Sequence, residues 1–135
     1  VVYLAVAIGG FLGACARYLV TEALGTLRGF PIATLLINLC GSFGLAWFYT
    51  ITVERLPIHP HVRAGIGTGF IGAFTTFSTL NVELWSLWRS GLWGWFGLYA
   101  VASYIGGILA SGAGYTLAMR QSRLHTVSTG KDVDP

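Results

Sequence analysis

"GFIGAFTTFSTL", residues 69–80, lies in an apolar stretch, yet it carries two glycines and four hydroxyl residues in twelve positions. A helix required only to fill lipid would be built from Leu, Ile and Val. Gly69 and Gly72 instead loosen the helix, while Thr75, Thr76, Ser78 and Thr79 supply hydrogen bonds to backbone groups that a break would free. Non-helical backbone at mid-membrane is tolerated only where protein buries it or where it lines a cavity. The stretch therefore predicts a span broken around Gly72 to Thr75, with freed carbonyls pointing at one spot. The C-terminal ends of half-helices favour a cation there, and two antiparallel subunits meeting on their axis would cage one Na⁺ with four carbonyls. A glycine kink closed by threonine back-bonds, with no ion, is the alternative.

The rest of the chain sets this stretch in a membrane. Of 135 residues, 54% are hydrophobic and 10% charged, and the mean hydropathy is +0.68, far outside the soluble range. Runs of 25, 19 and 30 residues without Asp, Glu, Lys or Arg separate Arg28 from Glu54, Arg63 from Glu83, and Arg89 from Arg120. Each is long enough to cross a hydrocarbon core of roughly 30 Å as a helix. The opening run from Val1 makes a fourth span if Arg17 snorkels or faces protein. A cleaved leader is the rival, but no basic segment precedes the run. The expected fold is an all-α membrane protein with four transmembrane helices over 1–120, at approximately 2–24, 31–53, 62–88 and 92–119, and a polar tail over 121–135.

Connections near 25–30, 54–62 and 88–92 are short, so no catalytic domain fits and an enzyme is not expected. Cys15 and Cys40 fall inside spans and read as small packing residues. His59 and His61, in "PIHPHV", read as a proline-bounded loop rather than a metal pair. The face with the N-terminus, the 54–62 loop and the tail carries Arg55, Arg63, Arg120, Arg123 and Lys131, against Arg17, Arg28 and Arg89 on the other. So weak a bias permits insertion in both orientations, hence an antiparallel dimer, although a single orientation is equally compatible. Small-xxx-small spacings such as Gly9/Gly13, Gly10/Ala14, Gly65/Gly69 and Ala110/Gly114 predict close helix contacts. Trp85, Trp88, Trp93 and Trp95 flank Arg89 as an interfacial belt.

Polar residues inside the spans recur at helical spacing. Thr34, Asn38 and Ser42 form one stripe on the second span, and Tyr99, Ser103, Gly107 and Ser111 form another on the fourth. Either stripe alone serves equally well as glue between helices. Two stripes beside a hydroxyl-rich third span favour a pathway, and with no Asp, Glu, Lys or His at mid-membrane a proton relay lacks its titratable groups. Neutral donors and aromatic edges suit a small anion.

"GGFLGACARY" (9–18), "TLLINLCGSFGLAW" (34–47) and "GFIGAFTTFSTL" (69–80), in a four-span layout, resemble the Fluc-type (CrcB) fluoride channels over nearly the whole chain before the tail. The resemblance implies passive fluoride export through two pores of an antiparallel dual-topology dimer in the inner membrane, with a central structural Na⁺. It places the Na⁺ carbonyls on Gly72 and Thr75, the pore asparagine on Asn38 and the first pore phenylalanine on Phe77. It also places the polar track on Tyr99, Ser103 and Ser111, with Thr34 beside Asn38, Ser78 and Thr79 near the aromatic site, Glu83 at its vestibule end, and Arg17 as a positive vestibule residue. The implied partners are fluoride, the bilayer and a second antiparallel copy or a homologous chain, with no nucleic acid. Two positions depart from the pattern. Leu80 stands where the family's second pore phenylalanine is usual, which keeps a heterodimeric channel in view, and Gly107 interrupts the hydroxyl stripe. A small multidrug-type antiporter is the alternative from another class, but it needs a central carboxylate, and Glu22 and Glu83 lie near span ends.

Overall fold

The computed structural model describes residues 1–27, 29–54 and 58–129, with side chains placed through Ser122. Arg28, Arg55, Lys131 and the Arg123 side chain, on which part of the charge asymmetry rests, lie outside the described residues. Helices α1 (Val2–Leu24), α2 (Ile32–Glu54) and α6 (Trp93–Thr129) are the long ones. Three segments, Val2–Leu24, Ile32–Glu54 and Trp93–Ser122, are long and apolar enough to cross a membrane. No strand is present among the described residues; the nearest approach is an isolated bridge between Leu27 and Phe30 in the α1–α2 turn. The sequence reading ends the fourth span at 119, whereas α6 continues as one helix to Thr129, since no glycine or proline interrupts it between Tyr115 and Thr129.

The segment between α2 and α6 is composite. Helix α3 (Pro60–Ala64) begins with proline at its first turn, and the His59 ring accepts from the His61 N–H at 3.3 Å, so this histidine serves as a cap. A π-helix over Gly65–Ile71 follows, then one turn, α4 (Gly72–Phe74), and then the break. Thr75 and Thr76 are extended, with φ/ψ of −74°/157° and −148°/115°. Helix α5 (Phe77–Arg89) restarts beyond them with Thr76 as its N-cap. The predicted break is therefore present, one residue beyond the span Gly72 to Thr75. At the far end of α5, the Gly91 N–H donates to Trp88 O and the Leu92 N–H to Leu87 O, both at 3.1 Å. Gly91, at φ 71°, closes this Schellman turn into α6.

Packing follows the glycines. α2 lies along α6, where Gly114 lets the Phe43 carbonyl of α2 approach so closely that a methyl group would overlap it. α1 lies against the π-helix, where Gly9 faces the Gly65 carbonyl and Gly13 the Phe70 carbonyl, again without space for a methyl group. A second, aromatic cluster joins α5 to α6: Leu80, Leu84 and Leu87 pack with Leu35, Phe30 and Tyr99, and Phe30 meets the Tyr99 ring edge-on at 5.5 Å. Many large apolar side chains outside these contacts, including Phe11, Leu19, Ile108 and Leu109, face outward as lipid or a partner helix requires.

The α1 contact makes a discriminating prediction. Gly9→Ala and Gly13→Ala should lower the yield of folded protein and its melting temperature. Gly10→Ala, whose new methyl group would find its nearest neighbour at 4.0 Å, should be neutral or stabilising. Thermal melts of the three detergent-solubilised variants check this.

Candidate functional site

Asn38 and Thr76 meet through both ends of the asparagine amide. The Thr76 N–H donates to Asn38 Oδ1 at 2.8 Å, and Asn38 Nδ2 donates to Thr76 O at 2.9 Å. A side chain on α2 thereby completes the hydrogen bonding of a residue that belongs to no helix. Gly41, one turn further along α2, makes the approach possible, because a methyl group there would overlap the Thr75 side-chain methyl. The hydroxyl run completes the turn: Thr76 Oγ1 accepts from the Thr79 N–H at 3.2 Å and donates to Thr79 Oγ1 at 2.8 Å, with Ser78 Oγ at 3.4 Å. Ser78 and Thr79 thus lie in the first turn of α5, which Thr76 caps, and are not among the residues that line the recess described below.

The pairing also decides which carbonyls lose their helical donors. In an unbroken helix Gly72 O would accept from the Thr76 N–H, which instead binds Asn38; among the described residues it keeps Thr75 Oγ1 at 3.4 Å. Thr75 O would accept from the Thr79 N–H, which instead binds Thr76 Oγ1. Thr75 Oγ1 itself donates to Ile71 O at 3.1 Å. Two neutral carbonyl oxygens released at one turn are a donor set suited to a hard monovalent cation, and the stretch offers no carboxylate for a divalent one.

A recess of about 540 Å³ opens beside the break, between α2, α5 and α6. Its polar wall is Asn38, Ser42, Thr75, Thr76, Ser103 and Ser111, and its apolar wall includes Phe77, Leu80, Tyr104 and Ile108. None of its described lining residues is Asp, Glu, Lys, Arg or His. Ser103 Oγ is buried without a hydrogen-bond partner, and Ser111 Oγ donates to Ser42 O at 3.4 Å. Phe77 stands at the mouth, 69% exposed. Leu80 borders the recess but is only 5% exposed, its side chain lodged in the α5–α6 core.

The remaining expected site residues fall elsewhere. Glu83 accepts from Thr34 Oγ1 at 2.9 Å through Oε1 and from the Tyr99 hydroxyl at 2.6 Å through Oε2, which ties α5 to α2 and α6. Thr34 and Tyr99 are buried, and this cluster lies off the recess. Arg17 is half-buried on α1 and also lies off it. Sequence reasoning missed the role of Thr76 and did not single out Ser42 as a lining residue. The first was visible only as one of four hydroxyls, the second as a member of the α2 stripe.

The fold and site define a class, that of polytopic helical membrane proteins in which a broken helix flanks an uncharged polar recess. Within that class the chain belongs to the CrcB family: the family model described as "CrcB-like protein, Camphor Resistance (CrcB)" matches residues 4–115. It is 45% identical over 125 residues to the fluoride-specific ion channel FluC 2 of Geobacillus kaustophilus, covering 90% of this chain and 96% of that one. It is 50% identical over 119 residues to FluC 1 of Bacillus cereus (86% and 82% covered). With FluC 2 of Carboxydothermus hydrogenoformans it shares 47% over 118 residues (87% of each). Family membership and the apolar helices together make it a multi-pass inner-membrane protein.

Removing the asparagine should expose the break. Asn38→Ala leaves a buried N–H and C=O of Thr76 without partners, a penalty of about 1–3 kcal/mol for each group. The Thr76 amide should then exchange with deuterium faster than in the parent chain, while amides in the middle of α6 keep their protection.

Proposed function

We propose that the chain is a fluoride-selective channel through which fluoride leaves the cell passively, working as an antiparallel dual-topology dimer with two pores. The observation that carries the reading is the recess, in which amide and hydroxyl groups line a path bordered by a phenyl ring and free of charged side chains. Fluoride is small and strongly hydrated, so a path through protein must replace its water without binding it too tightly. Asn38 retains one amide proton beyond the bond to Thr76, Ser103 Oγ has no other partner, and the edge of the Phe77 ring carries partial positive charge. The relatives named as fluoride-specific channels, matched over most of their length, support the same substrate. An antiporter would need an available carboxylate on the path, whereas both Glu83 oxygens already accept hydrogen bonds away from it.

In this reading, one subunit supplies half of each pore, and the exposed Phe77 faces the second copy. The carbonyls of Gly72 and Thr75 from both copies would hold the structural Na⁺ on the axis, satisfying oxygens that the break removes from the helical ladder. Thr34, Glu83 and Tyr99 brace the end of the pathway, and Arg17 contributes positive potential at a vestibule. The protein is a channel and catalyses no covalent chemistry.

Liposomes loaded with fluoride and reconstituted with this chain alone should release it, with chloride released far more slowly. Equal rates for the two anions would overturn selectivity, and efflux that appears only with a co-reconstituted homologous chain would replace the homodimer with a heterodimer. Phe77→Ile should slow efflux by about tenfold or more, through loss of the ring edge. Gly72→Val should weaken the dependence of dimer assembly on Na⁺. Thr75→Val should preserve it, because the ligand is the carbonyl and the hydroxyl binds within its own helix.

A further inference from the structure

Ser103 and Ser111, the hydroxyls that α6 contributes to the recess, are eight residues apart and so separated by about 12 Å along the helix. A hydrogen bond reaches about 3 Å. An anion moving between the two would cross roughly 6 Å out of reach of either. The midpoint of that interval on α6 is Gly107, which has no side chain to offer.

We infer that Ser42 on α2 supplies the missing middle rung, its hydroxyl standing in for the one that α6 lacks at Gly107; this rests on the anion-pathway reading above. The space beside Gly107 is open except in one direction. A methyl group built there meets a single atom within 4 Å, and that atom is Ser42 Oγ, at 3.8 Å. The Ser42 hydroxyl therefore stands at the height of residue 107, on the wall of the same recess. Among the described residues its Oγ makes no hydrogen bond, so its proton is available to a passing acceptor, and a hydroxyl rotor can follow that acceptor as it moves. The neighbouring rung is differently placed, because Ser111 Oγ donates its proton to the Ser42 carbonyl. Asn38 lies one turn before Ser42 on α2, so the polar groups alternate between helices: Asn38 and Ser103 at one level, Ser42 at the next, and beyond it Ser111, whose proton is engaged by the Ser42 carbonyl. The ligand is a small, partly dehydrated anion that accepts from neutral O–H groups. The absence of a side chain at 107 is then complementary to the presence of a hydroxyl at 42, and the two positions form an exchangeable pair.

Exchangeability is the test. Ser42→Ala, Gly107→Ser and the double variant would be purified, checked for an unchanged elution volume, and assayed for fluoride efflux from liposomes beside the parent chain. Ser42→Ala should slow efflux by roughly tenfold, the effect of one lost hydrogen bond to a charged species. The double variant should recover to within about threefold of the parent, because a serine at 107 places a hydroxyl at the same height from the opposite wall. Parent-like efflux from Ser42→Ala would overturn the inference, as would a slow Ser42→Ala that Gly107→Ser fails to rescue, since Ser42 would then act through packing. A parent chain that releases no fluoride would overturn the channel reading and this inference with it, an outcome distinct from either of the others.

Discussion

The two-point pairing between the Asn38 amide and the Thr76 backbone is the constraint on which the rest of the site depends. In a low-dielectric interior an unpaired backbone group is costly, so a chain that leaves the helical ladder in mid-membrane must find its partners within the protein. Asn38 provides a donor and an acceptor at the spacing that a neighbouring strand would offer. With Thr76 held extended, its hydroxyl is free to cap α5, the Gly72 carbonyl loses its usual donor, and Phe77 is carried to the mouth of the recess. One side chain therefore links the backbone break to the polar wall of the recess. A substitution at Asn38 acts on both at once.

Such a pairing requires close approach, and glycine supplies it on every side of the composite segment. Gly41 admits the Thr75 methyl from α2, while Gly9 and Gly13 admit the carbonyls of the π-helix from α1. Those α1 contacts fall on the π-helix itself, which precedes the break; the Gly72 N–H reaches back to the Gly67 and Gly69 carbonyls there. Lipid gives helices no hydrophobic reason to associate, so these backbone-to-backbone contacts carry the packing. The triad of Thr34, Glu83 and Tyr99 fastens the middle of α5, where a half-buried carboxylate between helices accepts from two hydroxyl donors.

Much of this was legible in the residues. Charge-free runs located α2 and α6 because a bilayer leaves few other uses for them, the third such run falls on the composite segment, and two glycines followed by four hydroxyls marked the break because each residue type has a physical task there. Asn38 on the second-span stripe and Ser103 and Ser111 on the fourth-span stripe line one recess. Periodicity did not separate Thr34 and Tyr99 from that set, since residues on one helix face share a direction but not a depth. Nor did it foresee the π-helix over Gly65–Ile71, which packs against α1. Leu80, expected among the pore residues, both borders the recess and packs into the α5–α6 core, almost fully buried.

The restart of α5 at the recess has a kinetic consequence. Phe77 is the first residue of that helix, so the recess borders its amino end, where aligned peptide dipoles amount to roughly half a positive charge. This attraction is fixed in the backbone and has no lysine or arginine behind it in the wall. In the proposed channel a full cation at the same place would deepen the well for an anion, whereas a fractional one would draw the ion in and still let it leave, favouring passage over capture.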